Sequence, residues 1–483
     1  MSTTFRSVFI FILLLSISLE FSLLIAQSNT PVQTRITLTE NFAPIQEENI
    51  QTEHGAEQGS LGSQLPLYSV LPFIGILLSI ALFPLVAPKF WHHHYGKVSL
   101  FWGLVMAIPF LYAYRGAAVY ETLHIYFLEY IPFIILLWSL FTISGGILVK
   151  GAPYGTPSAN LVLLIIGTFI ASWISTTGAS MVLIRPLIRM NSYRKSKLHL
   201  ILFFIFLVSN IGGSLTPLGD PPLFLGFLNH VPFFWTFNLI KEMAFVSAIL
   251  LTLFFAIDFY MFRKEGWHKK IKDIKHHIEV ELDKAELVVE EEVETVNSGE
   301  KKVKMEILGL INFPLLLGVI GGVLFSGLVH LGHVTILGVH IAIESLIRDS
   351  FLVLMGLLSL KLTPWSYREG NEFSWFPIVE VAKLFAGIFM TMIPALAMLR
   401  AGTEGHLAFI TEAVKEPSHY FWITGILSSF LDNAPTYLTF LSTACGQFSP
   451  GLSMFEAVPK LIAENELHLV AISIGAVFFG AMT

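Results

Sequence analysis

Cysteine and charge are both scarce in this sequence. Of the 483 residues, one is a cysteine and 13% are charged. Because Cys445 has no second cysteine to pair with, the sequence excludes an intramolecular disulfide, a CxxC redox pair and a cysteine-based metal cluster. The formal net charge of -6 gives no support to nucleic-acid binding.

Hydrophobic residues, in contrast, make up 54% of the chain, and the mean hydropathy is +0.69. A water-soluble globular domain of this length does not normally have such a balance. The apolar residues come in runs of roughly 20, which at about 1.5 Å per residue cross a hydrocarbon layer about 30 Å thick as helices. A transmembrane barrel would show short alternating segments instead. The composition therefore predicts an all-α polytopic membrane protein.

The amino terminus has the pattern of a targeting segment. Arg6 precedes the apolar stretch from Val8 to Ile25, and Ala26 offers a small side chain for cleavage. We interpret residues 1–26 as a signal peptide or an uncleaved anchor. Either alternative exports the polar segment that follows, residues 27–65.

Eleven segments are long and apolar enough to span or enter the membrane. They form a first membrane half (66–262) and a second (307–483), separated by a charged segment (263–306) that we interpret as a cytoplasmic linker. The segments cover residues 66–87, 98–114, 123–149, 158–190, 198–228, 234–262, 307–330, 341–362, 378–399, 418–445 and 467 onward.

Lysine and arginine residues mark one side of this arrangement, which the positive-inside rule makes cytoplasmic. They are Lys89, Lys97, Lys150, Arg194, Lys195, Lys197, Arg263, Lys264, Lys361 and Arg368. Since Lys150 precedes the segment 158–190 and Arg194 follows it, this segment must enter the membrane and return on the same side. Its polar tip would lie at Ser175 to Gly178, where a bend needs protein or water around it.

A second hairpin, at 418–445, resembles the first. Residues Ala171 to Pro186 and Leu427 to Phe440 both run from an apolar arm through polar, glycine or proline positions into another apolar arm. The loops that flank the second hairpin belong on the opposite side, so one hairpin would enter from each face. This predicts two inverted repeats, whose re-entrant hairpins and broken helices meet near the middle of the bilayer and bind substrate and coupling ions.

The segment 198–228 is predicted to be a broken helix. It contains Gly212, Gly213 and three prolines, and a helix interior disfavours glycine by about 1 kcal/mol and proline by about 3 kcal/mol. Unwinding frees backbone carbonyls for a cation and amides for an anion. Neutral oxygen ligands, which suit Na⁺ or an oxyanion, come from Ser209, Asn210 and Thr216.

Two carboxylates fall inside these membrane segments. Asp220 lies in the broken helix, and Asp432 lies at the tip of the second hairpin beside Asn433. A charged side chain at the bilayer centre costs about 2.5 to 3.5 kcal/mol on insertion scales, so an acidic residue there usually handles ions or protons. The alternative is that each caps the helix that follows it, since Asp is a good amino-terminal cap. The two roles are compatible.

Two further charged residues have alternative interpretations. Arg185, in the second arm of the first hairpin, would hold an anionic substrate, form an ion pair, or anchor the segment at the interface. Glu129, in the third segment, is a candidate proton site or simply faces the outer interface.

At these residues the chain resembles the ion transporter superfamily, which includes sodium/proton antiporters, arsenite carriers, citrate-metal symporters and dicarboxylate carriers. The stretch Ser209 to Pro222 is similar to the SNxGG...GDPP signature of that superfamily, and Ser428 to Thr436 is similar to its second-half hairpin motif. The likeness spans roughly residues 70–483. It points to a bacterial group named as sodium:proton antiporters or citrate transporters, whose STTGAS hairpin tip matches Ser175 to Ser180.

The resemblance implies a set of binding residues. They are Ser209, Asn210, Thr216, Asp432, Asn433 and Thr436, with Thr176 and Thr177 from the first hairpin. Ser175, Gly212, Gly213 and Asp220 complete the predicted site. A bound Na⁺ would lie at Ser209, Asn210, Asp432 and Asn433, and no other metal or cofactor is expected.

The carboxyl terminus departs from the family pattern. Repeat symmetry requires a second broken helix after the second hairpin, yet the sequence stops at Thr483, inside an apolar segment. We therefore expect the given sequence to be incomplete at its carboxyl end.

The expected function is ion-coupled secondary active transport. Sodium/proton exchange is the first hypothesis, because membrane carboxylates without a cluster of cationic residues favour a cation. Proton- or sodium-coupled uptake of citrate or another small carboxylate is the alternative. A channel is less favoured, because paired hairpins with midplane breaks suit alternating access. An enzyme is not expected, since the membrane segments contain no HExxH, GxSxG or Walker sequence.

The resemblance also implies a location. The protein would be a multi-pass protein of the bacterial inner membrane, in contact with lipid, with its amino-terminal segment and its linker on opposite sides. A homodimer is a possible assembly.

Overall fold

The computed structural model describes residues 61–151, 155–266 and 306–480. Within these ranges, seven helical spans are long and apolar enough to cross a membrane. The predicted fold class, an all-α polytopic membrane protein, is confirmed. The spans are Leu67–Val86, Pro88–Ser144, Pro157–Ile174, Leu198–Leu215, Phe233–Lys264, Phe376–Arg400 and Met454–Phe479.

Several predictions fall on other parts of the chain. The predicted signal or anchor segment and residues 27–60 of the exported segment lie outside the described residues. So do the linker, apart from residues 263–266 and Glu306, and the last three residues, 481–483.

The described first half consists of eight α-helices joined by short turns. They are α1 (Leu71–Val86), α2 (Pro88–Ile125), α3 (Ile131–Ser144), α4 (Pro157–Ile174), α5 (Thr176–Met190), α6 (Leu198–Leu207), α7 (Pro221–Leu228) and α8 (Ile240–Lys264). A π-helical turn, Tyr126–Tyr130, joins α2 to α3. The 3₁₀ turns are Leu67–Val70, Ile211–Leu215 and Phe233–Leu239.

The described second half also contains eight α-helices. They are α9 (Asn312–Leu328), α10 (Ile343–Leu362), α11 (Trp365–Gly370), α12 (Phe376–Arg400), α13 (Ala408–Ala413), α14 (Pro417–Ser428), α15 (Asn433–Phe448) and α16 (Met454–Phe479). A 3₁₀ turn, Gly402–Glu404, follows α12.

Two small antiparallel sheets complete the fold. Strand β1 (Leu148–Lys150) pairs with β2 (Glu306–Leu308), with Leu148 opposite Leu308. Strand β3 (His333–Ile336) pairs with β4 (Val339–Ala342). The β1–β2 pair joins the loop after α3 to the chain just before α9, so it ties the two halves together.

The second and third predicted segments form one continuous helical span, Pro88–Ser144. Helix α2 begins at Pro88, ten residues before the predicted start, and residues 115–122, predicted as a loop, continue it. Its 38 residues would extend about 57 Å at about 1.5 Å each, more than one bilayer crossing. A kink at Arg115, with φ 43°, divides the helix. The charged and small residues around Arg115 lower the hydropathy there without ending the helix.

The last predicted segment also begins earlier. Helix α16 starts at Met454, whereas the segment was predicted from 467, and residues 448–466 were predicted as an outer loop. Ser453 and Glu456 form a capping box that begins the helix. Asn465, with a non-helical backbone, then separates this polar first part from the apolar remainder. Because the first part of the helix contains many polar residues, its hydropathy is too low for it to be predicted as part of a membrane segment.

Each predicted hairpin consists of two helices that also contact each other at the ends away from the tip. In the first, α4 and α5 pack together, and the side-chain amides of Asn160 and Asn191 bond each other at 2.8 and 3.0 Å. In the second, Tyr420 on α14 donates to Oε1 of Gln447 on α15 at 2.7 Å. The helices are interrupted at Ser175 in the first hairpin and at residues 429–432 in the second. That the hairpins enter from opposite faces stays a prediction.

A buried polar cluster closes the base of the first hairpin. The Asp258 carboxylate, on α8, pairs with Arg194 and with Nε2 of His199 at 2.8 Å, and accepts from Asn160 at 2.9 Å. Arg194 and Asp258 have fully buried side chains. The sequence used Arg194 as a marker of the cytoplasmic side, which stays a prediction; its side chain is buried in this ion pair.

Arg368, a second residue used to mark the cytoplasmic side, is also buried. Its guanidinium donates to the backbone carbonyl of Thr142 and, at 2.8 Å, to Oγ of Ser359. The position still lies near the end of α3, because Asn371 donates to the carbonyls of Gly145 and Ile147 at 3.0 and 2.7 Å. Arg368 therefore joins the α10–α12 connection to the end of α3.

Candidate binding site

The unwound segment between α6 and α7 wraps around the tip of the first hairpin. Helix α6 ends at Leu207 and α7 begins at Pro221. Ser172, one turn before the tip, donates its hydroxyl to the Gly212 carbonyl and accepts from the Leu215 amide at 3.1 Å. Ser172 is a site-building residue that sequence reasoning missed, although a polar side chain within an apolar arm was a visible signal.

Two glycines allow the unwound segment to cross itself. A Cβ on Gly219 would lie 2.0 Å from the Gly213 carbonyl oxygen, and a Cβ on Gly213 would lie 2.6 Å from Cγ2 of Thr176. The Gly219 carbonyl in turn accepts from the Thr176 amide at 2.9 Å. Only glycine permits this approach of two backbones. The first hairpin tip and the unwound segment therefore form one packed unit.

Asp220 lies where the two hairpins meet. Its Oδ1 accepts from Oγ1 of Thr176 in the first hairpin at 3.3 Å, and its Oδ2 accepts from Nδ2 of Asn433 in the second at 3.0 Å. The residue is 3% exposed. Although Asp220 occupies the amino-terminal cap position of α7, its side chain makes no capping bond. The carboxylate is therefore used between the hairpins and not as a cap.

Asp432, unlike Asp220, caps the helix that follows it. Its Oδ1 accepts from the Ala434 amide at 3.0 Å, so it caps α15, as the capping alternative predicted. The residue is half-buried, and its charge lies close enough to Asp220 for the two carboxylates to repel each other. One carboxylate thus shapes the local backbone, while the other joins the two halves of the chain.

The end of α16 approaches the same place. Asn210 donates from Nδ2 to the Phe478 carbonyl at 3.1 Å. A Cβ on Gly480 would lie 2.9 Å from Nδ2 of Asn433 and 3.3 Å from Oδ1 of Asn210. The first hairpin, the second hairpin, the unwound segment and the end of α16 therefore converge on one small polar region. We call this region the hairpin junction, and define it by Thr176, Asn210, Asp220, Asp432 and Asn433.

Several predicted site residues contribute to the scaffold of the hairpin junction. Thr216 donates its hydroxyl to the Ser172 carbonyl. Thr436 donates to the Asp432 carbonyl at 2.8 Å, a bond within its own helix. Ser209 shares a hydrogen bond of 2.8 Å with Ser180 on α5. These hydroxyls are already engaged with protein groups.

The first hairpin tip is narrower than predicted. The break is the single residue Ser175, with φ 70°, and residues from Thr176 onward are already helical. The Ser175 hydroxyl is buried and has no hydrogen-bond partner among the described residues. The Thr177 side chain is exposed, whereas its neighbour Thr176 is buried. Gly212 is buried in the 3₁₀ turn, where a Cβ would lie 2.7 Å from the Thr168 carbonyl oxygen.

Arg185 forms an ion pair away from the hairpin junction. Its Nη2 lies 3.1 Å from Oε2 of Glu372, whose side chain is 82% exposed. Arg185 follows Thr176 on α5 by nine residues, about 13 Å along a helix. Of the three predicted roles, the structure places it in the ion pair.

The electrostatic character of the junction is set by two carboxylates and by neutral polar groups. In the described part of the chain, neither Asp220 nor Asp432 forms an ion pair with lysine, arginine or histidine. Helices α5, α7 and α15 all begin at the junction, so the positive ends of their dipoles offset part of this negative charge. No group of three or more His, Cys, Asp or Glu residues with a geometry suited to a metal ion occurs among the described residues.

Comparison with known proteins adds the family. A family profile described as putative citrate transport matches residues 62–483. The chain belongs to that family. The match covers both hairpins and the unwound segment. Together with the seven apolar helical spans, it identifies the chain as a membrane transporter. No match is found among curated proteins.

Proposed function

We propose that this transporter is an ion-coupled secondary carrier that exchanges Na⁺ for protons at the hairpin junction. The observation that carries this proposal is the position of Asp220, whose two carboxylate oxygens are held by Thr176 from one hairpin and Asn433 from the other. An ion bound there contacts both hairpins at once. The two hairpins then carry the ion when they move as one unit relative to the surrounding helices, as alternating access requires.

The chemistry of the junction favours a small hard cation. Asp220, Asp432 and Asn210 supply carboxylate and amide oxygens, the ligands that hard cations prefer. Sodium neutralises the repulsion between the two carboxylates, and so does a proton on one of them. Because Na⁺ and H⁺ compete for the same oxygens, one site suffices for exchange.

Citrate or another small carboxylate is the second candidate, and the family description favours it. A free carboxylate would face two acidic side chains without a paired arginine. The amino-terminal ends of α5, α7 and α15 offer backbone amides for an anion, and a Na⁺ at Asp220 would supply the missing positive charge. This version is therefore sodium-coupled uptake, with cation and carboxylate adjacent in the junction.

We also propose that the moving parts are the two inverted repeats that the sequence predicted. The two hairpins and their adjoining breaks would enter from opposite faces of a bacterial inner membrane and move together relative to the helices packed around α12. The serine bonds support this, because Ser172 in one hairpin and Ser428 in the other each donate to a backbone carbonyl of the following element, Gly212 and Ala476.

Purified protein in sealed proteoliposomes tests these alternatives. A pH-sensitive dye inside the vesicles reports proton movement after an external pulse of NaCl, LiCl or, as the control, choline chloride. Exchange brings Na⁺ in and takes protons out, so it predicts an alkalinisation of the vesicle interior that saturates with Na⁺ and is absent with choline. If labelled citrate uptake requires Na⁺, and a NaCl pulse without citrate moves no protons, symport would replace exchange as the proposed function. Loss of both signals in vesicles with correctly folded protein would overturn the proposal.

A further inference from the structure

A further acidic side chain is buried near the other end of α7. Glu129 lies in the π-helical turn between α2 and α3 and is 5% exposed. Its Oε2 has no hydrogen-bond partner among the described residues. Single π-turns inside helices occur frequently at functional sites. A carboxylate that is buried without a full set of partners is costly to keep, so its presence calls for a role.

A small cavity separates Glu129 from a guanidinium. Arg400, the last residue of α12, lines the cavity together with Glu129, Glu121 and His124. The cavity measures about 20 Å³, which is enough for one water molecule. Nε of Arg400 has no hydrogen-bond partner among the described residues. One water in this cavity can accept from Arg400 and donate to Glu129, which satisfies two buried polar atoms at once.

The π-turn is fixed on one side and contacts α7 on the other. Tyr126 and Tyr130 donate their hydroxyls to the α12 carbonyls of Ala386 and Ala382, at 2.7 and 2.9 Å. On the other side, the π-turn packs against α7. The π-turn that carries Glu129 therefore lies between a fixed helix, α12, and a short helix of the hairpin junction, α7.

Helix α7 links this carboxyl group to Asp220. Asp220 precedes the first residue of α7 and Asn229 follows its last, so the two lie at opposite ends of eight helical residues, about 13 Å apart along the axis. The negative end of the α7 dipole faces Glu129. The other charged groups facing Glu129 are Arg400, from α12, and Glu121, from α2. The ring of His124, also from α2, shares the cavity wall.

We propose that Glu129 is a second proton-binding site of this protein, served by a water molecule in the Arg400 cavity. On protonation, an O–H bond forms at Oε2 and the hydronium ion that delivers the proton returns to water. The neutral carboxyl group no longer attracts Arg400, which weakens the link between α12 and the π-turn that packs against α7. This site does not depend on which solute the junction carries.

Infrared difference spectroscopy of the purified protein tests the site without any transport assay. The signal is the carbonyl stretch of a protonated carboxylic acid, followed as the pH is lowered. We expect one such band to disappear in Glu129→Gln. The matched control is Glu344→Gln, which alters another buried glutamate, one that accepts from the Leu331 amide at 3.1 Å. The control should keep the band.

A second variant keeps the test informative if Glu129→Gln does not fold. Arg400→Met removes the positive charge across the cavity, so the same band should persist to higher pH than in the wild type. Difference spectra that are identical in wild type and Glu129→Gln, or a titration unchanged in Arg400→Met, would overturn the proton site. Neither result bears on Na⁺ or citrate at the hairpin junction, which is tested separately in vesicles.

Discussion

The two hairpin tips differ in how tightly they are held. The first tip is one residue, Ser175, 1% exposed, and the adjacent Thr176 amide is bonded to the backbone of the unwound segment. The second break covers four residues, 429–432, and includes Phe430, which is 69% exposed. The second tip reaches the first half through a side chain, Asn433, at 3.0 Å from Asp220.

This difference indicates that the two tips have different roles in the candidate site. Backbone bonds and glycine contacts hold the first tip, so it can move only together with the unwound segment and Asp220. A side-chain bond is easier to break and re-form than a packed backbone crossing, so the second tip is the adjustable half. We infer that binding changes the second tip more than the first. The predictions below test this asymmetry, beginning with the largest expected effect.

Gly219→Ala should damage the first tip severely. Its Cβ would lie 2.0 Å from a backbone oxygen that cannot rotate away, so we expect a loss of about 3 kcal/mol or more in folding stability. In Gly480→Ala the nearest atom, at 2.9 Å, is the side-chain nitrogen of Asn433, which can shift, so the loss should be smaller. The thermal midpoint of the purified protein in detergent measures both.

Gly321→Ala is the control for this pair, because no atom lies within 4 Å of its added Cβ. It should keep the wild-type midpoint or raise it slightly. Equal losses in Gly219→Ala and Gly480→Ala would contradict the asymmetry.

Ser172→Ala and Ser428→Ala compare the hydroxyls of the two first arms. Ser172 donates to one backbone group and accepts from another, so its removal leaves two buried groups unpaired and should cost about 2 to 3 kcal/mol. Ser428 donates to the Ala476 carbonyl at 2.7 Å, so its removal should cost about 1 kcal/mol. Denaturant or thermal unfolding followed by circular dichroism measures the difference. A larger loss in Ser428→Ala is the contrary outcome.

Much of the hairpin junction could be predicted from sequence, because its residues are unfavourable in a helix that crosses a membrane. Glycines and prolines from Gly212 to Pro222 cannot continue a helix, and Asp220 and Asp432 are costly inside a membrane segment, so each was visible alone. The Asn433–Asp220 contact was not, since it joins residues 213 positions apart and depends on how two hairpins pack.

Other features could not be predicted, because nothing in their local sequence is unusual. Ser172 is one hydroxyl in an apolar helix, and nothing nearby shows that its partner is the unwound segment. The burial of Arg194 and Arg368 was not predicted, because composition cannot distinguish a solvated arginine from one buried against carbonyls. Met454 to Glu464 was assigned to a loop since a short polar helix has no long apolar run.

Asn433→Ala and Thr176→Val remove the two bonds that reach Asp220. A bond to a carboxylate of 3.0 Å is stronger than one of 3.3 Å, so we expect Na⁺ affinity to fall about tenfold in Asn433→Ala and about threefold in Thr176→Val. Thr436→Val is the matched control, because that hydroxyl bonds its own helix. Isothermal titration with NaCl provides the affinities. A weaker effect in Asn433→Ala than in Thr436→Val would exclude the second tip from the site.

Arg185→Gln should have the smallest effect. The ion pair with the exposed Glu372 contributes less than about 1 kcal/mol in stability. Because Arg185 lies away from the hairpin junction, Na⁺-dependent flux and citrate uptake should both match the wild type in proteoliposomes. A selective loss of citrate uptake in Arg185→Gln would return this residue to the role of anion ligand.

The central claim is that the Asp220 carboxylate binds the transported cation between the two hairpins. Sodium-driven proton flux in Asp220→Asn proteoliposomes tests it most directly, since asparagine keeps the shape and removes the charge. The account predicts a loss of about 100-fold or more, equivalent to about 3 kcal/mol, with a wild-type thermal midpoint. Wild-type flux in Asp220→Asn would contradict it.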